Sequence, residues 1–340
     1  MDQGMIIATA VTGNANADVN VSRVTVTVPA RLHLGFVDLN GGLGRRFGSL
    51  GIAIDTPRVR LSLGPGERLS AAGPDAARAR HHLESLSDRY GLDRRLDLRV
   101  DESIPAHIGL GSGTQLALAT GAAMARLFGL DLDARTIAGL LDRGARSSIG
   151  IATFDQGGVV MDGGRGDSDE APPVLSRLPF PEEWRILLIF DHARQGLHGP
   201  EEAAAFRRLP PFPAEQAAHL CRLVLMVALP GLAEGRLDRF GAAVAELQGA
   251  IGDYFKPVQG ARFASGMVAE VLGWLEAEGV GGIGQSSWGP TGFGLIGSEA
   301  DAAALLAAAH RRWPRESGLS FAISRGRNRG ADIDVQRAGR

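Results

Sequence analysis

A glycine-rich segment in the first third of the chain constrains the fold more than any other feature. It reads P-A-H-I-G-L-G-S-G-T-Q-L-A over residues 105–117, between a polar strand-like stretch and an amphipathic helical pattern. Gly109, Gly111 and Gly113 lack a β-carbon, so the backbone can turn left-handed and let N–H groups converge on an anion at a helix N-terminus. The segment predicts a phosphate-binding loop, although an ordinary strand-to-helix turn would have the same spacing.

The elements around this segment predict half-buried antiparallel strands followed by helices. Residues alternate strictly at Val24–Val28, where Pro29 is expected to end the strand, and again at Val59–Leu63 and Leu96–Val100. Helical spacing follows the glycine turn. It predicts a helix that stops at Gly129 and a second one over Thr136–Arg146.

The second half of the chain mixes strands and helices without regular βαβ alternation. The predicted strands and helices are, in order, a strand at Ile186–Phe190, helices near Pro200–Arg208, Ala214–Leu229, Leu237–Gln248 and Phe263–Glu278, a strand at Thr291–Ile296, a helix at Glu299–Arg312 and a strand at Leu319–Ser324. This mixture predicts an α+β protein and not a doubly wound parallel sheet.

Length and composition predict a globular chain of two domains. We expect a flexible leader at residues 1–20, an N-terminal domain with the phosphate loop at 21–180 and a C-terminal domain at 181–340. The loop Gly163–Pro173, rich in glycine, aspartate and proline, lies near the boundary.

Charge and cysteine content narrow the class of function. With 36 basic and 38 acidic residues the net charge is −2, which provides no basic field for nucleic acid. Lys256 is the only lysine, so anion recognition falls to arginine and backbone amides. Cys221 has no second thiol for a disulfide or metal cluster, and the histidines show no metal-ligand spacing. No signal peptide or membrane span is apparent, which predicts a cytoplasmic protein.

Three motifs in order resemble the GHMP kinase superfamily. They are P-A-R-L-H-L-G at residues 29–35, P-x-x-x-G-L-G-S at 105–112, and G-x-x-S-x-G-P-T-G-F-G at 284–294. The resemblance implies a two-domain α+β fold of that superfamily. Its N-terminal domain is an α/β sandwich that carries the glycine loop, and its C-terminal domain is ferredoxin-like and closes over a cleft.

Four further segments resemble the β-ribofuranosylaminobenzene 5′-phosphate synthases, a family of methanopterin biosynthesis. They are A-R-L-H-L-G-F-V-D-L-N-G-G-L-G-R at 30–45, G-x-R-S-S-I-G at 144–150, F-D-Q-G-G-V-V-M-D-G-G at 154–164 and Q-S-S-W-G-P-T at 285–291. The resemblance implies a phosphoribosyl transferase with coupled decarboxylation. 5-Phosphoribosyl 1-pyrophosphate condenses with 4-aminobenzoate, or 4-hydroxybenzoate in some members, and CO2 and pyrophosphate are lost.

Two departures from kinase motifs favour the synthase over a kinase. GHMP kinases usually have a second serine after G-L-G-S, where this chain has Gly113, and they often have a G-E-H-like run where Gly35 is followed here by Phe36. An ATP-dependent small-molecule kinase and a non-catalytic phosphometabolite-binding protein stay open as alternatives.

The catalytic candidates are Asp38 and Arg45, which flank a glycine-rich turn. A guanidinium can clasp the pyrophosphate or the benzoate carboxylate with two hydrogen bonds. A carboxylate could stabilise charge at the ribose anomeric carbon, hold a metal or act as a base. A surface turn is the structural alternative for Asp38.

The remaining candidates are predicted to bind substrate. They are Arg31, His33, Gly109, Leu110, Gly111, Ser112, Gly113, Thr114, Arg146, Ser147, Asp155, His198, Ser286, Ser287 and Trp288. Arg146 could equally cap a helix, and Asp155 aligns with a catalytic aspartate of the kinases. His33 fits a hydrogen-bonded cleft-wall residue better than a base.

The synthase reaction also implies its cofactors and partners. We expect Mg²⁺, because pyrophosphate is highly charged and Mg²⁺ prefers phosphate oxygens with few protein ligands. No organic cofactor is expected. The expected partners are the two small-molecule substrates and a second copy of the chain in a homodimer, with no nucleic acid and no membrane.

Overall fold

The structure, a computed structural model, describes residues 20–168, 170–197 and 199–338. Apart from Asn20, the predicted leader at residues 1–20 lies outside the described residues. The strands are β1 Val21–Asp38, β2 Gly48–Pro65, β3 Ser70–Ala72, β4 Leu96–Glu102, β5 Val159–Asp162, β6 Val174–Leu178, β7 Arg185–Asp191, β8 Gly282–Gln285, β9 Gly292–Ile296, β10 Leu319–Ser324 and β11 Asp332–Arg337. The α-helices are α1 Ala76–Tyr90, α2 Ser112–Phe128, α3 Ala134–Leu140, α4 Ile149–Asp155, α5 Gly199–Arg208, α6 Ala214–Leu223, α7 Leu229–Ala233, α8 Leu237–Gln259, α9 Gly266–Ala277 and α10 Glu299–Arg312.

The first sheet contains seven strands in the order β11-β1-β2-β4-β3, with β5 and β6 branching from β2. The prediction that Pro29 ends the first strand is wrong, because β1 continues to Asp38. Pro29 lacks an N–H, but the pairing of β1 with β11 ends at Thr27 and the ladder to β2 has an irregularity directly after Pro29. The strand therefore tolerates the missing donor there.

Helix α2 covers this sheet and positions the glycine loop. It packs on β1 and β2, and most of its residues are buried, including Leu116, Thr120 and Leu127. Gly129 ends the helix in a left-handed conformation, as predicted. The packing fixes the N-terminus of α2 against the end of β1 that carries Arg31 and His33.

The predicted helix over Thr136–Arg146 is shorter than expected, and this changes where its arginines lie. Helix α3 ends at Leu140, and Asp142 and Gly144 then adopt positive φ angles of 54° and 83°. A side chain at Gly144 would overlap with Ile151 of α4, a helix that was not predicted. Arg146 therefore lies in a loop and does not cap a helix.

The second sheet has the strand order β10-β7-β9-β8 and packs against α9 and α10. Strand β10 and helix α10 have the predicted bounds, whereas α8 runs eleven residues beyond the predicted Gln248 to Gln259. Its apolar face continues through Ile251 and Phe255, which are both buried. The α+β prediction is confirmed.

The chain returns to the first sheet after the second one is complete. Strand β11 pairs with β1, and the backbone N–H of Gly158 donates to the carbonyl of Arg327. The predicted C-terminal unit, 181–340, thus supplies an edge strand to the N-terminal sheet.

One helical run, Ala214–Ala233, is long and apolar enough to cross a membrane by length and composition alone. In this structure it packs against β1 and α8, with Leu220, Val224 and Leu232 buried in the core. Its other face is exposed at Leu225 and Met226.

Candidate active site

A cavity of about 570 Å³ lies where β1, the glycine loop and three other loops meet. Its walls come from β1, the start of α1, the glycine loop with the N-terminus of α2, the loop between α3 and α4, the segment before α5 with the start of α5, and the loop between β8 and β9. The lining residues are Arg31, His33, Phe36, Arg78, His107, Gly109, Gly111, Ser112, Gly113, Thr114, Asp142, Arg143, Gly144, Ala145, Arg146, Ser147, Gly196, Leu197, Gly199, Glu202, Ser287, Trp288 and Gly289.

The N-terminus of α2 opens into this cavity as an anion site. Gly111 precedes the helix with a φ of 78°, and no side chain caps the helix there. The first backbone N–H groups of a helix have no intrahelical partner, and here they belong to the cavity-lining residues Ser112, Gly113 and Thr114. Free amides and the helix dipole favour a phosphate group at this position.

Hydrogen bonds from Ser286 and Arg31, both predicted to bind substrate, fix the position of the glycine loop. The buried Ser286 hydroxyl accepts a hydrogen bond from the His33 N–H at 3.0 Å and donates to the Gly109 carbonyl at 2.8 Å. The Leu110 carbonyl accepts from the Arg31 N–H at 3.1 Å. Leu110 and Ser286 do not line the cavity; they join the loop to β1.

Arginines concentrate at one end of the cavity. Arg78 and Arg143 line both the main cavity and an adjoining one of about 360 Å³, and both Nε atoms are buried without a hydrogen-bond partner. Burial and the neighbouring Arg78 lower the pKa of Arg143. Burial also lowers the pKa of Arg31 to about 10, a shift that Glu202 and Asp162 oppose. With a pKa of about 10, Arg31 stays cationic at neutral pH.

Aromatic side chains form the opposite end. Trp288 is stacked on Phe255 with ring centroids 3.8 Å apart, and the His33 and Phe36 rings lie 4.7 Å apart. A second small cavity, lined by His33, Phe36 and Phe255 among others, adjoins this end. Among the described residues, none lines both this small cavity and the arginine-lined one. The two ends differ in their aromatic content, and the aromatic end also has arginine, since Arg262 lines the small cavity and Arg146 lies over Phe206.

The buried carboxylate of Asp162 lies outside the cavity and binds Ser147, a residue of its lining. The Asp162 carboxylate accepts hydrogen bonds from the hydroxyls of Ser49 and Ser147, at 2.9 and 2.8 Å, and from the Ser148 N–H at 2.9 Å. Burial raises the pKa of Asp162, and the hydrogen bonds oppose that shift. Ser147 is thus fixed in the lining. Sequence reasoning missed Asp162, although it lies in the segment F-D-Q-G-G-V-V-M-D-G-G.

Asp38 and Arg45 are not among the residues that line the cavity. The Asp38 carboxylate accepts hydrogen bonds from the N–H groups of Asn40 and Gly41, at 2.7 and 3.1 Å, and so stabilises the turn that follows β1. The Arg45 guanidinium donates to the carbonyls of Gly163 and Gly164, at 2.8 and 2.7 Å. Their catalytic roles stay predictions, and this geometry places both in the support of neighbouring loops.

The other predicted residues divide between cavity and surface. Arg146 lines the cavity, forms an ion pair with Glu202 at 2.6 Å and lies over the Phe206 ring. Ser287 and Trp288 also line it. Asp155 is exposed at the end of α4, away from the lining, and His198 lies outside the described residues.

Sequence reasoning missed several lining residues. Phe36, Arg78, Asp142, Arg143, Leu197 and Glu202 were not selected. Phe36 directly follows the P-A-R-L-H-L-G motif, so that motif could have indicated it. Arg78 and Arg143 stand in ordinary helical and loop surroundings, where no local pattern separates them from the other arginines.

The described residues contain no group of three or more His, Cys, Asp or Glu side chains able to hold a metal ion. Asp142 and Glu202 are the carboxylates in the cavity lining. Either could offer a carboxylate to a metal ion, and Glu202 is paired with Arg146.

Comparison with known families and structures defines the class of the protein. Residues 77–163 match the GHMP kinases N terminal domain, and residues 228–315 match the GHMP kinases C terminal domain. A homoserine kinase from Cytophaga hutchinsonii superimposes with a TM-score of 0.62 at 17% identity, covering 92% of this chain and 98% of that one. Mevalonate diphosphate decarboxylase from Staphylococcus aureus gives 0.64 at 13%, with the same coverage. The fold is that of the GHMP kinase superfamily.

Curated relatives define the family more closely. The β-ribofuranosylphenol 5′-phosphate synthase of Archaeoglobus fulgidus is 32% identical over 321 residues, which is 90% of this chain and 98% of the relative. The enzyme of the same name from Methanothermobacter thermautotrophicus is 30% identical over 337 residues, 92% and 98% of the two chains. The chain belongs to this synthase family within the superfamily, and it is an enzyme.

Proposed function

We propose that the enzyme joins the phosphoribosyl group of 5-phosphoribosyl 1-pyrophosphate to a para-substituted benzoate, with loss of pyrophosphate and CO2. The observation that carries this proposal is a single cavity with a cationic end and an aromatic end. One substrate is a flexible polyanion and the other a planar ring, so each matches one end. The product is a ribofuranosylarene 5′-phosphate, the compound class in the relatives' names, and we assign the reaction to methanopterin biosynthesis.

The cationic end suits the phosphoribosyl donor. Its pyrophosphate and 5′-phosphate can be shared between the amides of Ser112–Thr114 and the guanidinium groups of Arg31, Arg78 and Arg143. Mg²⁺ would arrive on the pyrophosphate, with Asp142 or Glu202 as a carboxylate ligand, and would neutralise part of the leaving group's charge.

The aromatic end suits the arene. Phe36 and Trp288 provide apolar ring faces, and Arg146 beside Phe206 provides a cation for the carboxylate. In this arrangement the ring carbon that bears the carboxylate faces the ribose anomeric carbon. The relatives' names specify a phenol, so we propose 4-hydroxybenzoate as the preferred arene and 4-aminobenzoate as its analogue. We further propose a cytoplasmic homodimer.

A substrate assay tests the proposed function. The purified enzyme with Mg²⁺ and 5-phosphoribosyl 1-pyrophosphate should release pyrophosphate only when an arene is present. A parallel reaction with ATP and candidate alcohols, homoserine included, should form no ADP. ADP formation without pyrophosphate release would assign a kinase activity, and tight donor binding without turnover would assign a binding protein.

Replacing Arg78 with alanine should weaken donor binding specifically. Loss of one charge-assisted hydrogen bond costs about 1.5–3 kcal/mol, so KM for 5-phosphoribosyl 1-pyrophosphate should rise roughly ten- to hundredfold while KM for the arene stays constant. Steady-state kinetics with each substrate varied in turn measures both constants.

Arg80→Ala is the matched control, because Arg80 lies on the same helix, is exposed and pairs with Glu84. It should leave both KM values unchanged. Equal donor KM values in the two variants would remove Arg78 from the binding site.

A further inference from the structure

His33 is a buried histidine whose ring has no hydrogen-bond partner. Its side chain is 2% exposed, it lines the main cavity, and neither Nδ1 nor Nε2 is paired. Buried polar groups are almost always hydrogen-bonded, so an unpaired imidazole in a cavity wall points to a ligand as its partner. His33 lies in the cavity wall as predicted, but its ring lacks the predicted hydrogen-bond partner, and Ser286 binds only its backbone N–H.

The surroundings of the ring identify which part of a ligand it meets. Phe36 lies 4.7 Å from the imidazole and contacts Phe255, on which Trp288 is stacked. His33 also lines the small cavity at this aromatic end and is absent from the lining of the arginine-rich one. Arg31, which we assign to the donor's phosphates, also neighbours His33, and the aromatic rings beside His33 lead us to assign its hydrogen bond to the aromatic substrate.

The ring is neutral in this position. Burial lowers the pKa of His33 well below its ordinary value, and the neighbouring Arg31 guanidinium lowers it further. A neutral imidazole has one donor and one acceptor nitrogen. It can accept a hydrogen bond from a phenolic hydroxyl without first losing a proton of its own.

We propose that His33 binds the para substituent of the arene and accepts the phenolic proton of 4-hydroxybenzoate during the reaction. This inference rests on the proposed function and adds a catalytic residue to it. The hydroxyl becomes strongly acidic as the ring donates electrons to the anomeric carbon, so a neutral base in contact with it needs little basicity.

The proton and electrons balance over the whole reaction. The phenolic O–H bond breaks, its proton passes to a ring nitrogen of His33, and the oxygen electron pair moves into the ring. The ring carbon that bears the carboxylate forms a bond to the anomeric carbon of ribose. At the same time the bond between the anomeric carbon and pyrophosphate breaks. The C–C bond to the carboxylate then breaks, CO2 leaves, its electron pair restores the aromatic ring, and the product oxygen takes back the proton.

The two candidate arenes separate this role from a purely structural one. In 4-aminobenzoate the nitrogen lone pair can supply the electrons without prior loss of a proton, because an iminium nitrogen carries positive charge well. His33 is then only a hydrogen-bond acceptor. Removal of the base should consequently affect the hydroxy substrate more than the amino substrate.

The test compares kcat for the two arenes in wild-type enzyme, His33→Phe and His33→Gln. His33→Phe should reduce kcat about hundredfold or more with 4-hydroxybenzoate, the range for loss of a general base, and less than about tenfold with 4-aminobenzoate. The donor KM should stay within about threefold of wild type, as expected for a residue outside the phosphate end. His33→Gln keeps a hydrogen-bonding side chain without the base, so it should show the same selectivity and provides the comparison if His33→Phe does not fold.

Controls separate this inference from the function beneath it. His310→Phe changes an exposed histidine on α10 that does not line the cavity, and it should alter neither rate. Equal losses with both arenes in folded His33 variants would reject the proton transfer. If wild-type enzyme released no pyrophosphate with either arene, the proposed function itself would fail.

Discussion

Gly109→Ala is expected to abolish activity and to destabilise the fold. Gly109 has a φ of +86°, and an added Cβ would overlap with the Ser286 carbonyl and lie 3.0 Å from the Gly289 Cα. Left-handed backbone alone costs a residue with a side chain about 1–2 kcal/mol, and the overlap adds to that cost. Because backbone atoms form the obstacle, the glycine loop and the β8–β9 loop must separate. We expect a loss of at least about 2 kcal/mol in the free energy of unfolding, measured by denaturant titration.

Gly129→Ala is the matched control at the other end of α2. Gly129 also has a positive φ, +64°, but a Cβ there would meet no atom within 4 Å. The free energy of unfolding should therefore fall only by the cost of the left-handed backbone, about 1–2 kcal/mol, and kcat should stay near the native value. If Gly109→Ala retained both activity and stability, the two loops would not meet in the way described.

The glycine loop could be predicted because its chemistry is local. Residues 105–129 contain all of its parts: glycines with left-handed backbone, a helix start without a capping side chain, and the buried helix that follows. The bounds of α10 and β10 were also predicted correctly, and Ser298 accepts a hydrogen bond from the Asp301 N–H at the start of the helix. These features depend on neighbours along the chain.

The missed features depend on neighbours in space. Arg78 and Arg143 are 65 positions apart in the sequence and meet only because α1 and the loop after α3 lie beside the N-terminus of α2. Arg45 looked like a substrate ligand from its position after a glycine turn. Its two acceptors are carbonyls more than a hundred residues away, Gly163 and Gly164, which no spacing rule could indicate.

The predicted length of the helix at Thr136–Arg146 was wrong for a similar reason. The pattern over Thr136–Arg146 does not reveal that α3 ends at Leu140 or that the chain then turns at Asp142 and Gly144, where a side chain on Gly144 would overlap with Ile151. That early stop is what places Arg143, Arg146 and Ser147 in the cavity wall. Tertiary packing thus determined the part of the site that local propensity could not.

When the carboxylate carbon of the arene carries an isotope label, the label should leave as CO2. One labelled CO2 should form for each pyrophosphate released. The ring carbon attacked by ribose becomes tetrahedral, and aromaticity returns only when the carboxylate on that carbon departs. Trapping the labelled gas and measuring pyrophosphate in the same sealed reaction gives the ratio. Arene labelled in the ring is the control, because it should release no labelled gas and should transfer its label to the phosphorylated product.

The proposed orientation of the arene predicts this outcome and not transfer to the arene's para substituent. In the orientation that we propose, the para substituent binds His33 and the carboxylate-bearing carbon faces the donor. Attack through the para oxygen or nitrogen would require the ring to bind in reverse, with its carboxylate against the buried neutral His33 and apolar rings. Arg31 neighbours His33, and Arg262 lines the small cavity, so charge alone does not select one orientation and the fate of the label distinguishes the two. Pyrophosphate release with full retention of the label in the product would show that the ring does bind in reverse and would overturn the decarboxylating mechanism.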